Sequence, residues 1–216
     1  MSLNLSGTLS IFKLISNPSL CLPHATVSTF NDLPRPLSKA FGDAEKVDIR
    51  AVVLDKDNCF AVPHQNDVYE AYKAGLHARF QQLREDYPGK KLLIVSNSAG
   101  TLADPTGKEA ELLERNTGVS VLRHRTKKPG CGTDIQKHFQ NDPSLGITSP
   151  SQIAVVGDRL FTDAMLANFM GARAIWIRDG TVADNSIFVK AEKSLAGFLL
   201  KRGYTPPDPR NTFEGH

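Results

Sequence analysis

The chain has 216 residues, 40% of them apolar and 23% charged, with a formal net charge of +3. That length supports one good core and argues against a second full domain; no run approaches the roughly 18–20 uninterrupted apolar residues of a spanning helix. Charge so near balance leaves any preference for anionic partners to local clusters, and three cysteines (Cys21, Cys59, Cys131) without a CxxC pair exclude a disulfide framework and fit a reducing compartment.

Residues 1–44 are rich in Ser and Pro and carry no acid before Asp32. They read as an appendage, an amphipathic membrane-docking segment followed by a linker. Leu5, Leu9, Phe12 and Ile15 recur near helical spacing, which predicts a short helix from Leu3 to Ser16 that Asn17-Pro18 would stop. From residue 45 to 204 short β-branched runs alternate with helical stretches, the signature of an α/β, doubly wound parallel sheet of Rossmann type. The predicted strands are Ala51–Leu54, Lys91–Val95, Val119–Leu122, Gln152–Val156 and Ala172–Ile177. Helices are predicted over Val68–Tyr87, Gly107–Thr117, Cys131–Gln140, Thr162–Met170 and Ile187–Arg202, and residues 205–216 read as a tail.

In an open parallel sheet a ligand sits outside the carboxyl ends of the strands, so polar residues directly after each apolar run are the candidates. Four such places align here: Asp55-Lys56-Asp57-Asn58, Ser96-Asn97-Ser98, Lys127-Lys128-Pro129 and Gly157-Asp158-Arg159 through Asp163. A carboxylate held rigidly behind a buried strand can attack phosphorus in line, the role expected of Asp55. An acid two residues on, Asp57, projects to the same side and can protonate the leaving oxygen, then deprotonate water. Phosphoryl transfer needs charge neutralisation, which Mg²⁺ on Asp55 and Asp158 would supply. Ser96, Asn97 and Lys128 offer a hydroxyl, an amide and a point charge for the phosphoryl oxygens, with Lys128 also counted among the catalytic groups. Asp163 would orient the metal shell or Lys128. Taken singly these motifs are ordinary turns, helix caps and solvated charges; the joint order decides for chemistry.

Together the four motifs resemble those of the haloacid dehalogenase superfamily, with Cys59 where that superfamily commonly has Thr or Val. The resemblance implies an aspartyl-phosphate mechanism, a metal ligand from the Asp57 backbone carbonyl, and, because Asp57 is present, a phosphatase. Neither the Asp55–Ser96 gap nor the Asn97–Lys128 gap accommodates a cap domain, so a bulky substrate is expected: a lipid, a protein or a nucleic acid end. Arg123, Arg125, Lys127 and Lys128 put four permanent positive charges within six residues. With His124 and Arg159 they are the expected contacts to substrate and to an anionic leaflet, and peripheral proteins typically combine such a patch with a modest apolar insertion.

The strings VLDKDNCFA from Val53, IVSNSAG from Ile94, VLRHRTKKPGC from Val121 and VGDRLFTD from Val156 are similar to those of the fungal mitochondrial phosphatidylglycerophosphate phosphatase family. That resemblance implies hydrolysis of phosphatidylglycerophosphate to phosphatidylglycerol on the matrix face of the inner membrane, on the route to cardiolipin, with no nucleic-acid partner. The first basic residue is Lys13 and the first Arg is Arg35, so an Arg-rich presequence is not what points there. Two alternatives stay open: a phosphatase for phosphoproteins or nucleic acid ends, and a non-catalytic membrane or RNA scaffold. His64, after Asp57, reads as a solvent-exposed loop histidine.

Overall fold

The computed structural model describes residues 13–42, 44–73 and 78–213. Its six strands are β1 (Ala25–Val27), β2 (Ala51–Leu54), β3 (Leu92–Ile94), β4 (Ser120–Val121), β5 (Ile153–Gly157) and β6 (Arg173–Ile177). They make one wholly parallel sheet in the order β1-β6-β5-β2-β3-β4. The principal helices are α1 (Arg79–Asp86), α2 (Lys108–Thr117), α3 (Gly132–Gln140), α4 (Met165–Met170) and α5 (Ile187–Lys201). All residues of β2 and β5 are buried, as expected of strands covered on both faces. Alternation along β2 sorts its side chains. Val52 and Leu54 join Phe30, Phe60, Phe80 and Leu83 on one face, whereas Ala51 and Val53 join Ile135, Phe139 and Leu166 on the other.

Chain order reverses at β2, with β3 on one side and β5 on the other, so the crevice for a ligand opens at the carboxyl ends of those strands. Between Asp57 and Asn97 the described residues hold loops, one helical turn at Glu70–Lys73, α1, a 3-10 turn at Gly89–Lys91 and β3; between Asn97 and Lys128 they hold α2 and β4. Among the described residues no large cap covers the crevice.

Three expectations change. Composition sets residues 1–44 apart, yet β1 pairs with β6, and Phe30, Leu33, Leu37 and Phe41 are buried in the core. Apolar residues spaced along a Pro-rich tract anchor it through one short strand and short 3-10 turns, two of which carry Phe30 and Leu37. Of the predicted helix Val68–Tyr87 the described residues form the turn Glu70–Lys73 and α1, which begins after Ala78 at ψ 69°, while residues 74–77 lie outside the described residues. Of the predicted N-terminal helix, residues 13–16 are helical, with Leu14 packed on the core and Ile15 exposed. Leu5, Leu9 and Phe12 lie outside the described residues.

Candidate active site

β2 and β5 pair in register with Leu54 opposite Val156, and Asp55 N donates to Val156 O at 2.9 Å. This brings the residues that follow, Asp55 and Asp158, together across 103 positions of sequence. Asp163 joins them from a π-helical turn, Leu160–Ala164, of the kind that often marks functional sites. One carboxylate oxygen from each of Asp55, Asp158 and Asp163 lies within 4.8 Å of the others. Gly157 makes that approach possible, because a Cβ there would fall 2.3 Å from the Asp163 carboxyl carbon.

A single buried cation faces this acid cluster. Lys128 Nζ donates to Asp55 Oδ1 and, at 2.7 Å, to Asp163 Oδ1. Burial disfavours its charge, but Asp163 and Asp55 outweigh burial and hold its pKa above the ordinary lysine range. Burial pushes Asp55 up to about 7, with the charges of Asp163 and Asp57 adding and Lys128 opposing. Asp158 is pushed up to about 8, again by burial first and then by Asp55 and Asp163. Asp158 Oδ1 is buried with no hydrogen-bond partner in the structure. An orphaned carboxylate oxygen beside a second acid asks for a cation, and an all-oxygen donor set suits a hard divalent ion. Asp55 and Asp158 fit as direct ligands; both oxygens of Asp163 already have donors, Lys128 Nζ and Arg159 N.

Replacing Lys128 by Met leaves the acids uncompensated. The metal-free protein is expected to lose about 3–5 kcal/mol of unfolding free energy, the cost of breaking a buried pair from one side, measured by denaturant titration in chelator.

The loop after Asp55 is tied down by side chains. Asp57 Oδ1 accepts from Lys56 Nζ at 2.7 Å and from His64 N at 2.9 Å, and Lys56, itself buried, also reaches Gln65 O at 3.0 Å. Asn58 sits at φ 58°, a conformation that Asn tolerates better than most residues. Its Nδ2 donates to Asp158 Oδ2 at 3.2 Å, while Oδ1 accepts from Thr181 N, Thr181 Oγ1 and Val182 N. Asp55, Asp57, Asn58, Pro63, Asn97, Lys128, Asp158, Arg159, Thr162 and Asp184 line a cleft of about 250 Å³.

The model of the mitochondrial PGP phosphatase family matches residues 5–182. The chain belongs to that family. It is 47% identical over 197 residues to the mitochondrial phosphatidylglycerophosphatase of Saccharomyces cerevisiae, covering 91% of this chain and 99% of that protein. A probable mitochondrial phosphatidylglycerophosphatase of Schizosaccharomyces pombe is 33% identical over 95% of each chain. The chloroplastic/mitochondrial phosphatidylglycerophosphate phosphatase 1 of Arabidopsis thaliana is 30% identical over 93% of this chain and 53% of its own length. No solved structure matches.

Not every residue expected at the site of this PGP phosphatase family member reaches it. Asn97 lines the cleft and accepts from Lys128 N at 2.7 Å through Oδ1, which leaves its amide nitrogen as the group to offer a phosphate. Ser96 does not line it: fully buried, its hydroxyl meets Ser98 Oγ at 3.0 Å. The basic run is dispersed by tertiary contacts. Arg123 forks onto Glu114 at 2.8 and 2.9 Å, and His124 is buried between the carbonyls of Thr126 and Ser96. Arg123 stays exposed with its charge paired, and Arg125 and Lys127 are exposed as well. Arg159 lines the cleft, but its guanidinium is bound by buried Glu192. Asp57 stays outside the three-acid cluster with its side chain, since its oxygens face Lys56, His64 N and Ser98. His64 contributes its backbone N–H while its side chain is exposed. Sequence reading missed Asn58, Lys56, Asp184 and Glu192. The first two stand inside the first motif, where a polar residue immediately after a nucleophile is a signal worth following; the others carry none.

Proposed function

We propose that the chain hydrolyses phosphatidylglycerophosphate to phosphatidylglycerol and inorganic phosphate at the matrix face of the inner mitochondrial membrane, through a phosphoryl-enzyme on Asp55 and with Mg²⁺ as cofactor. The observation that carries this reading is the meeting of Asp55, Asp158 and Asp163 at the crevice between β2 and β5, with Lys128 bound to Asp55 and Asp163. The names and coverage of the relatives favour the substrate. So does the open crevice, which leaves room for a headgroup whose acyl chains remain in a bilayer.

The steps follow from the residues present, and the four motifs resemble those of haloacid dehalogenase phosphatases. Asp55 attacks phosphorus with a carboxylate oxygen, and the bond from phosphorus to the glycerol oxygen breaks. Asp57 delivers its proton to that departing oxygen, then takes one from the water that attacks the phosphoryl group and frees Asp55. Lys56 and His64 N hold Asp57 in place throughout. Lys128 and the amide of Asn97 stabilise charge on the transferring oxygens. Magnesium, held by Asp55 and Asp158 and by the Asp57 backbone carbonyl, would neutralise phosphoryl charge. Asp163 keeps Lys128 charged and in position.

Purified protein should release phosphate from phosphatidylglycerophosphate in mixed vesicles faster than from phosphopeptides or phosphorylated oligonucleotides, and chelation should stop it. Equal rates on the peptides or oligonucleotides would displace the lipid reading in favour of a general open-site phosphatase.

A further inference from the structure

Exposed apolar side chains gather at one edge of the sheet. Because every strand is parallel, the loops after β2, β3, β4, β5 and β6 all emerge at the edge that holds the cleft. On that edge Ile187 is 83% exposed, Phe188 76%, Leu102 71% and Val182 42%. Leu102 lies in the loop after β3, while Val182, Ile187 and Phe188 lie in the connection from β6 into the start of α5. That connection is part of the site: Asp184 lines the cleft, and Asn58 Oδ1 accepts from Thr181 and Val182. A Cβ at Gly180 would come within 2.5 Å of Asn58 Nδ2, so the segment is seated closely on the loop that carries Asp55 and Asp57.

Among the described residues nothing covers Ile187 and Phe188. Helix α5 already buries Val189, Ala196 and Leu199 against the domain. Lys190 and Lys193 of α5 are exposed cations on the same element, the latter facing exposed Asp184 of the connection, whereas Arg125 and Lys127 follow β4, four strands away in the sheet order. Asp179 is neutralised by Arg178 at 3.0 Å. Among the described residues no helix is long and apolar enough to cross a membrane, so a lipid headgroup reaches this cleft only if the edge meets the bilayer. We infer that Ile187 and Phe188, with Val182 of the same connection, insert into an anionic bilayer beside the cleft and present it to lipid-borne phosphate. A small apolar wedge with a few neighbouring cations is the combination that docks peripheral proteins reversibly. This inference rests on the lipid reading of the site.

The test uses the full chain and vesicles of phosphatidylcholine with phosphatidylglycerol. The double variant Ile187→Ser, Phe188→Ser should partition onto them at least about tenfold more weakly, the scale of removing apolar side chains from a buried setting. Its turnover of a soluble aryl phosphate should match the parent's, because neither residue touches the cleft. F188W should add emission that shifts to the blue on vesicle binding and is quenched by brominated acyl chains, seen against the single native Trp176. Undiminished partitioning of the double variant, or bound F188W with solvent-like emission, would overturn the assignment. So would a switch from self-associated to monomeric protein without lipid, which would give the face to a second copy, or a parallel loss of aryl phosphate turnover. Failure of the lipid reading itself looks different: no phosphate released from phosphatidylglycerophosphate dispersed in detergent, where docking is not needed.

Discussion

Asp55→Asn is expected to lower turnover at least about 10⁴-fold on every phosphomonoester, because loss of a covalent nucleophile is not made good by the remaining groups. The substitution is close to isosteric and removes one charge from a crowded set, and Lys128 keeps Asp163 as its partner. The variant should therefore fold, with metal-free stability no lower than the parent's by more than about 1 kcal/mol. Asp57→Asn should behave differently. General acid catalysis is worth roughly 10²–10⁴-fold, and it matters most when the leaving group is a poor one such as an alkoxide. The variant should lose that factor on phosphatidylglycerophosphate and far less on a p-nitrophenyl ester, whose leaving phenolate needs no proton. Steady-state kinetics of both variants on both substrates checks the assignment. Comparable losses for Asp57→Asn on the two esters would reject Asp57 as the proton donor, and unchanged physiological function of Asp55→Asn would favour a non-catalytic scaffold.

The second large effect concerns pH and metal. Asp55 and Asp158, at about 7 and about 8, stand well above the ordinary carboxyl value of 3.8. As pH rises past that ordinary value the unfolded chain releases both protons while the metal-free fold retains them, so folding takes up protons. Stability from this cluster is therefore highest at acid pH and declines as pH climbs from about 4 to about 8, with no further change above. A divalent cation displaces the same protons, so its stabilising effect must grow over the same window. At about a hundred times its dissociation constant the ion adds roughly 2.7 kcal/mol, which for a chain of this size raises Tm by about 5–10 °C. Thermal unfolding near pH 5 and near pH 8, in chelator and in Mg²⁺, should show the larger rise at the higher pH. Asp158→Asn should remove most of the difference. A metal-induced rise that is equal at both pH values, or that survives in the variant, would place the cation elsewhere.

Much of the fold can be read from the apolar runs. The tracts at Ala51–Leu54, Lys91–Val95, Val119–Leu122, Gln152–Val156 and Ala172–Ile177 coincide with β2 to β6 within about two residues, because strands buried on both faces leave little else that such runs could do. Strand β1 escaped notice. Three residues at a sheet edge, paired on one side only, give too short a period to register, and the prolines around them suggest a linker. The basic run shows the opposite failure. Arg123, His124, Arg125, Lys127 and Lys128 look like one patch in sequence, yet Glu114 takes Arg123, two carbonyls take His124 and the acid cluster takes Lys128. Alternating residues after a strand point to opposite sides, so neighbours in a string need not share a surface.

The sequence by itself determined the parallel α/β architecture and the identity of the acids and the lysine, since strand ends and charged side chains are local features. Which of those groups meet was decided only by the tertiary structure. The register of β2 against β5 sets Asp55 beside Asp158, the missing Cβ of Gly157 admits Asp163, and Glu192 and Glu114 draw Arg159 and Arg123 away. Contacts between residues so far apart in the chain depend on strand order and packing, and no local propensity encodes either.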